Sequence, residues 1–160
     1  MKIKIIIVLI FLGILVPACT QGTDKGMATP ALIKDSVFRR GGKITNDNFK
    51  GNAYLKMLMS ADSINQTTVG NVTFEPGART KWHLHPAGQI LLVTDGVGYY
   101  QEKGQLKKIL HKGDVIKCPP NIVHWHGASI DTSFIQIAIT GRDKGETVWK
   151  EDVTDEEYTN

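Results

Sequence analysis

The chain has 160 residues, 41% of them hydrophobic and 22% charged. This length supports about one domain, and the composition argues against disordered and collagen-like chains. The formal net charge is only +3, with 19 basic residues interspersed among 16 acidic ones. The absence of a basic stripe argues against DNA or RNA as a partner.

The N-terminal residues have the order of an export signal. Lys2 and Lys4 precede an apolar run, Ile5 to Val16, that is shorter than the about 20 residues needed to span a bilayer. This order predicts a signal peptide over residues 1–18. The small residue before Cys19 resembles the site at which bacterial lipoproteins are cleaved and acylated, which implies a periplasmic or cell-envelope lipoprotein that contacts the membrane only through a lipid on Cys19. The alternative is plain secretion with Cys19 removed or unused.

A polar, Gly-containing segment over residues 19–35 predicts a tether, followed by one folded domain over residues 36–160. With Cys19 assigned to the lipid, Cys118 has no partner for an intrachain disulfide. We interpret Cys118 as a small buried hydrophobic residue, with a thiolate ligand or nucleophile as the alternative.

From residue 36 onward, short strand-like segments alternate with turn formers such as Glu75-Pro76-Gly77 and Asp95-Gly96. The predicted strands are Tyr54–Met59, Val69–Phe74, Lys81–His85, Gln89–Thr94, Val97–Gln101, Leu106–Leu110, Asp114–Cys118, Val123–Gly127 and Phe134–Thr140. Thr154–Tyr158 is typical of a short capped helix. We therefore expect an all-β, antiparallel jelly roll with a short C-terminal helix.

Four of the five histidines stand in two identical arrangements, His83-x-His85 and His124-x-His126. Residues two apart in a strand share a face and lie about 6.6 Å apart along it, so both imidazoles of a pair can converge on one ion. Neutral imidazole is the commonest metal ligand. The two pairs therefore predict a metal site.

A turn follows the first histidine pair. Pro86-Ala87-Gly88 reverses the chain and brings Gln89 back beside the pair, where it can serve as a further donor. The fifth histidine, His111, lies next to another turn, and we interpret it as a structural residue.

Two spaced motifs carry a resemblance to the cupins. The first is Gly77, five residues, His83, one residue, His85, three residues, Gln89, six residues, Gly96, with Gln where the family usually has Glu. The second is Gly113, five residues, Pro119, then Asn121 and His124, with Asn121 in place of the usual Gly. The resemblance implies a double-stranded β-helix barrel that holds one divalent metal ion.

Other runs are similar to a subgroup of small bacterial cupins that includes manganese-dependent hydroxynitrile lyases and cupins associated with carboxymuconolactone decarboxylases. These runs are Thr73–Thr80, Trp82–Pro86, His124–Ala128 and Val153–Glu156. The similarity implies that the metal ligands are His83, His85, Gln89 and His124, with His126 beside the metal but not bound to it. It favours manganese, while ligand softness also permits iron, nickel or zinc. Where the lyases carry a further cavity histidine, this chain has Gln136.

Replacing the usual Glu by Gln89 changes the charge of the site. Three neutral imidazoles and an amide leave a divalent ion with its full +2, whereas a carboxylate would reduce the site to about +1. Such a site favours anionic ligands and Lewis-acid chemistry over redox chemistry.

We therefore predict a metal-dependent enzyme that acts on a small molecule, with the metal polarising a hydroxyl or carbonyl oxygen. His126 is expected to be the general acid/base, with a pKa near neutrality, and Gln136 to orient the substrate. A hydroxynitrile-lyase-like carbon–carbon lyase is the leading reaction. The alternatives are an iron-dependent oxygenase and a non-catalytic envelope protein that binds a small anion.

The cupin resemblance also implies a homodimer formed through sheet faces. Trp82 and Trp125 are out of phase with the histidines, and we expect them to offer apolar surface for that contact.

Overall fold

The computed structural model describes residues 37–160, so the predicted signal peptide, the tether and Cys19 lie outside the described residues. The strands are β1 (Gly42–Lys43), β2 (Phe49–Lys50), β3 (Ala53–Met59), β4 (Thr67–Phe74), β5 (Arg79–Thr80), β6 (His83–Leu84), β7 (Gln89–Glu102), β8 (Lys108–His111), β9 (Val115–Cys118), β10 (His124–Ala128), β11 (Phe134–Gly141) and β12 (Val148–Trp149). A short helix, α1 (Asp155–Thr159), ends the chain. Over the described part of the chain, no helix is long and apolar enough to cross a membrane.

The strands form two antiparallel sheets that share β7. One sheet has the order β1-β3-β4-β11-β7-β9, and the other runs β8-β7-β10-β5-β2, with β6 pairing both β10 and β12. Their curled arrangement is a double-stranded β-helix barrel. The predicted all-β jelly roll is confirmed.

The shared strand β7 joins two predicted strands, Gln89–Thr94 and Val97–Gln101, into one. Its first half pairs with β11 and β9, and its second half pairs with β10 and β8. Gly96 has a φ of 78°, and a Cβ there would lie 1.9 Å from the carbonyl oxygen of Ser133. The predicted break at Asp95-Gly96 is thus a bend at which only glycine fits, and the strand continues through it.

The predicted strand Lys81–His85 is divided into β5 and β6, so that His85 lies just beyond the end of β6. The sequence did not predict β1, β2 or β12, which have two residues each and are too short to show an alternating pattern. The other predicted strands agree with the structure to within two residues at either end.

The interior of the barrel holds a core in which Phe74, Tyr100 and Phe134 are fully buried. Cys118 is 1% exposed and belongs to the same core, and burial raises the pKa of its thiol to about 12. The interpretation of Cys118 as a small buried residue is confirmed, and its thiol is protonated at neutral pH.

A second, smaller core lies under the C-terminal segment. Trp82 and Trp125 are 2% and 0% exposed and pack with Val153 and Tyr158. The expectation that these tryptophans supply apolar surface for a dimer is therefore wrong, because the chain's own C-terminus covers them. The homodimer itself stays a prediction.

Polar contacts hold the C-terminal segment in place. The buried Arg79 guanidinium donates to the Val153 carbonyl at 3.0 Å and to the Asp155 carboxylate at 2.6 Å. Thr154 and Glu157 form a capping box at the start of α1, as the sequence predicted. The Tyr158 hydroxyl donates to the carbonyl of Ala128 at 2.8 Å. The segment is thereby fixed against the end of β10.

Tyr158 provides a test of this attachment. Tyr158→Phe removes the hydrogen bond to Ala128 and should lower the free energy of unfolding by about 1 kcal/mol. Tyr158→Ala also removes ring packing against Trp125 and should cost roughly 3 kcal/mol or more. Urea unfolding measures both changes, with Thr159→Ala at the exposed helix end as the control. Equal stability of wild type and Tyr158→Ala would show that the segment does not support the barrel.

Candidate metal centre

Three histidines form a tight buried cluster. The ring nitrogens of His83, His85 and His124 that can act as ligands all lie within 4.8 Å of one another. Strand register explains the placement, because His83 on β6 is directly opposite His124 on β10. The ring centroids of these two residues are 4.4 Å apart. The two predicted pairs therefore converge, and three of the four histidines are positioned to bind a metal.

Hydrogen bonds on the far side of each ring set its orientation. The Nδ1 atoms of His83 and His124 donate to the carbonyls of Lys81 and Ile122, each at 2.9 Å, which leaves Nε2 as the free ligand atom. The Nε2 atoms of His85 and His124 are buried without any hydrogen-bond partner. Buried polar atoms rarely lack partners, and backbone carbonyls commonly orient metal-binding imidazoles in this way. The donor set fits a divalent ion.

The environment keeps these imidazoles neutral. Burial and the neighbouring histidines hold the pKa of His83 well below its ordinary value. Burial chiefly, with the charges of His124 and Arg142, lowers the pKa of His85 to about 3. Burial also lowers the pKa of His124. The rings thus have the unprotonated form that metal binding requires.

Gln89 begins β7 directly after the predicted turn. The turn is confirmed by the Gly88 N–H, which donates to the His85 carbonyl at 3.0 Å. The Gln89 side chain is 8% exposed, and its amide donates to Thr140 Oγ1 at 2.8 Å. It lines the same cavity as His83 and His85. Its role as a fourth ligand stays a prediction.

His126 lies beside the three-histidine cluster, with its ring centroid 5.3 Å from that of His83. The amide nitrogen of Gln136 donates to His126 Nδ1 at 3.0 Å. Gln136 is fully buried, and its Oε1 has no partner. The contact of Gln136 is therefore with His126, and direct orientation of a substrate by Gln136 stays a prediction.

The electrostatics of His126 differ from the expectation of a pKa near neutrality. Burial chiefly, with smaller contributions from His124 and His85, holds the pKa of His126 well below the ordinary value. His126 is a neutral imidazole at physiological pH. Because Nδ1 accepts from Gln136, the ring hydrogen is on Nε2.

His83, His85 and His126 line a cavity of about 140 Å³ inside the barrel. A cavity of about 150 Å³ holds benzene in other proteins, so this one suits a small ligand. Apolar side chains form much of its wall, namely Phe49, Leu55, Met57, Val72, Ala138 and Trp149. Over residues 37–160, the lining includes His126 but not Gln136.

Three residues at the site were not found from the sequence. Thr147 Oγ1 lies 3.0 Å from His85 Nδ1, the Trp149 ring packs on His83 with centroids 4.8 Å apart, and Arg142 lines the cavity. The β-branched and aromatic run Thr147-Val148-Trp149 is the signal that would have revealed β12. No sequence pattern distinguishes Arg142 from the other basic residues.

Comparisons with known proteins agree with this fold and site. The family model described as "Cupin domain" matches residues 70–138. A protein from Granulicella tundricola named (R)-mandelonitrile lyase is 44% identical over 127 residues, which cover 79% of this chain and 97% of that protein.

Solved structures give the same result for the fold. A cupin-like protein from Thermotoga maritima is 50% identical, with a TM-score of 0.76, over 78% of this chain and 95% of that chain. A cupin-2 domain from Rhodospirillum rubrum is 13% identical, with a TM-score of 0.58, over 74% of this chain and 76% of that chain. The second likeness shows the fold alone.

Metal analysis separates the clustered histidines from His126. His124→Ala should lose most bound metal because it removes one of three converging donors, whereas His126→Ala should retain it. The measurement is elemental emission spectroscopy after loading with manganese and dialysis. His111→Ala, changed at the exposed end of β8, is the control and should match the wild type. Equal metal loss in His124→Ala and His126→Ala would show that His126 is also a ligand.

Removing the metal should expose a dependence of stability on pH. Because burial depresses the histidine pKa values below 6.5, the unfolded chain binds more protons than the folded chain as the pH falls below that value. The free energy of unfolding should therefore decrease from about pH 6.5 downward, by up to about 1.4 kcal/mol per pH unit for each histidine.

Urea unfolding of chelator-treated protein between pH 7 and pH 5 measures this effect. Carboxylates such as Glu75, with a pKa below the ordinary 4.5, contribute only at lower pH. His85→Asn should reduce the slope, and His111→Asn should leave it unchanged. A flat profile in the wild type would contradict the prediction.

Proposed function

This chain belongs to the cupin family, and on that basis we propose that it is a metal-dependent carbon–carbon lyase acting on a small hydroxynitrile-like substrate. The observation that carries the proposal is the buried three-histidine cluster beside a cavity of benzene size. The 44% identity to a protein named (R)-mandelonitrile lyase supports the same reaction class.

The proposed metal ligands are His83, His85 and His124, with Gln89 as the fourth. Manganese is the first choice, and iron, nickel or zinc also suit the donors. When bound, the divalent ion supplies Lewis-acid polarisation of a substrate oxygen.

The wall of the cavity positions the substrate. Leu55, Met57 and Phe49 offer apolar surface to the organic part of a ligand. The proposed donors lie on the paired strands β6 and β10 and on the turn and first residue of β7 that follow β6, so the reacting oxygen of a bound ligand is directed toward the histidines. The volume leaves little space for water once an aromatic ring is bound.

His126 moves the proton in this proposal. Its Nε2–H donates toward the substrate oxygen, which suits protonation of that oxygen during carbon–carbon bond formation. Bond cleavage needs the reverse transfer: Nε2 accepts the hydroxyl proton while Nδ1 carries the ring hydrogen, the carbonyl forms as the carbon–carbon bond breaks, and the departing cyanide takes the proton from Nε2 and leaves as hydrogen cyanide. The Gln136 amide can turn to accept that hydrogen through its unpartnered Oε1. Gln136 is therefore a positioning residue that serves both tautomers of His126.

The test of the proposed function is cleavage of mandelonitrile by manganese-loaded protein. The measurement is the release of benzaldehyde and cyanide in the presence and in the absence of oxygen. Turnover that is independent of oxygen supports the lyase. Oxygen consumption would instead favour an iron-dependent oxygenase. Tight retention of a small anion without turnover of any hydroxynitrile would favour a non-catalytic binding protein.

Variants of the proton-transfer pair give a sharper prediction. His126→Ala should keep its metal and lose roughly 10²- to 10⁴-fold in rate, the usual range for a general acid/base. Gln136→Leu should lower the rate and shift the pH–rate profile, and Gln136→His should restore a partner for His126. Unchanged rate and profile in Gln136→Leu would remove Gln136 from the mechanism.

The N-terminal pattern supports a location for this enzyme outside the cytoplasm. We propose an exported protein held at the membrane by a lipid on Cys19, which acts as a homodimer on a small molecule in the cell envelope.

A further inference from the structure

One guanidinium lines the cavity from its solvent-exposed side. Arg142 follows β11, and its side chain is 23% exposed, whereas His85 in the same lining is 4% exposed. Nη1 of Arg142 donates to the Glu146 carboxylate at 2.5 Å and to Thr147 Oγ1 at 3.3 Å. Glu146 is 85% exposed. The counterion of this cation is thus a side chain that faces water.

The positive charge of Arg142 is not neutralised by an acidic residue of the described cavity lining. Among the residues described, the lining contains the cation of Arg142 and no Asp or Glu. A divalent ion on three neutral imidazoles would add further positive charge. An ion pair with a solvent-exposed carboxylate, such as Arg142–Glu146, contributes little, so a ligand carboxylate can readily replace Glu146. A shielded, bidentate arginine–carboxylate pair is considerably stronger.

Part of the cavity wall is apolar although some of it is exposed. Leu55 is 36% and Met57 44% exposed, and both line the cavity. Phe49 and Trp149 complete this wall, with ring centroids 5.7 Å apart. The cavity therefore presents an apolar wall, a cation and a cluster of metal donors to one small ligand.

We propose that Arg142 is a specificity-determining residue that binds a carboxylate of the substrate. The ligand class is a small organic acid with an apolar body of about benzene size. This inference rests on the proposed function only where it concerns the reaction. If the protein is the proposed lyase, its hydroxynitrile-like substrate carries a carboxylate near the reacting carbon. Ligand binding itself requires no turnover.

Calorimetry with an acid and its neutral amide tests the proposal. Manganese-loaded wild type should bind phenylacetate more tightly than phenylacetamide. Arg142→Gln should weaken phenylacetate binding by about tenfold to hundredfold, the range for losing a charged hydrogen bond, and change phenylacetamide binding by less than about twofold. Glu146→Gln is the matched control at the other end of the ion pair and should tighten phenylacetate binding, because it removes the competing carboxylate.

Three outcomes would overturn the proposal. The first is that the wild type binds phenylacetate no more tightly than phenylacetamide. The second is that Arg142→Gln binds phenylacetate as tightly as the wild type does. The third is that Arg142→Gln loses affinity for phenylacetate and phenylacetamide equally. The last result would indicate that Arg142 supports the site only through Thr147. Metal content is measured in each variant. Absence of mandelonitrile cleavage together with Arg142-dependent binding of the acid would refute the lyase reaction and leave the ligand class standing.

Discussion

The structure depends on placing three imidazoles in a water-poor interior with their ligand atoms facing one another. Each ring is neutral because burial depresses its pKa, with neighbouring groups adding to the effect at His83 and His85, and two of the three Nε2 atoms have no hydrogen-bond partner. Leaving such atoms unpaired costs about 1–3 kcal/mol each. Without a metal the cluster is an energetic cost of folding, and with one it becomes a source of stability.

Packing offsets this cost, because a second core supports the histidine strands on the face opposite the histidine side chains. His83 follows Trp82, and Trp125 lies between His124 and His126, so the residues of alternate phase form the second core on the opposite face. The C-terminal segment covers that core through Tyr158. The same two-residue period that directs the histidines into the cavity therefore directs the tryptophans into the packing that fixes their strands.

Much of this arrangement follows from the sequence because it is periodic or local. The paired histidines, the turn before Gln89 and the capped C-terminal helix all come from spacings of two to four residues. The burial of Trp82 depends on the C-terminal segment, about 70 residues away in the sequence. The alternation of residues along the strand predicts the sheet face on which Trp82 lies, but it does not predict which segment covers that face. Arg142 was missed for a related reason, since its approach to the cavity depends on how the loop after β11 folds back.

Burial also explains why the pKa of His126 could not be read from its residue type. An isolated histidine titrates near neutrality, but this ring is buried and close to three others, so the neutral form is favoured over the whole physiological range. Proton transfer then depends on which ring nitrogen carries the hydrogen and not on the fraction of charged imidazole. An amide such as Gln136 suits that requirement, because it offers a donor and an acceptor and adds no charge to a cavity that already contains Arg142 and the metal donors.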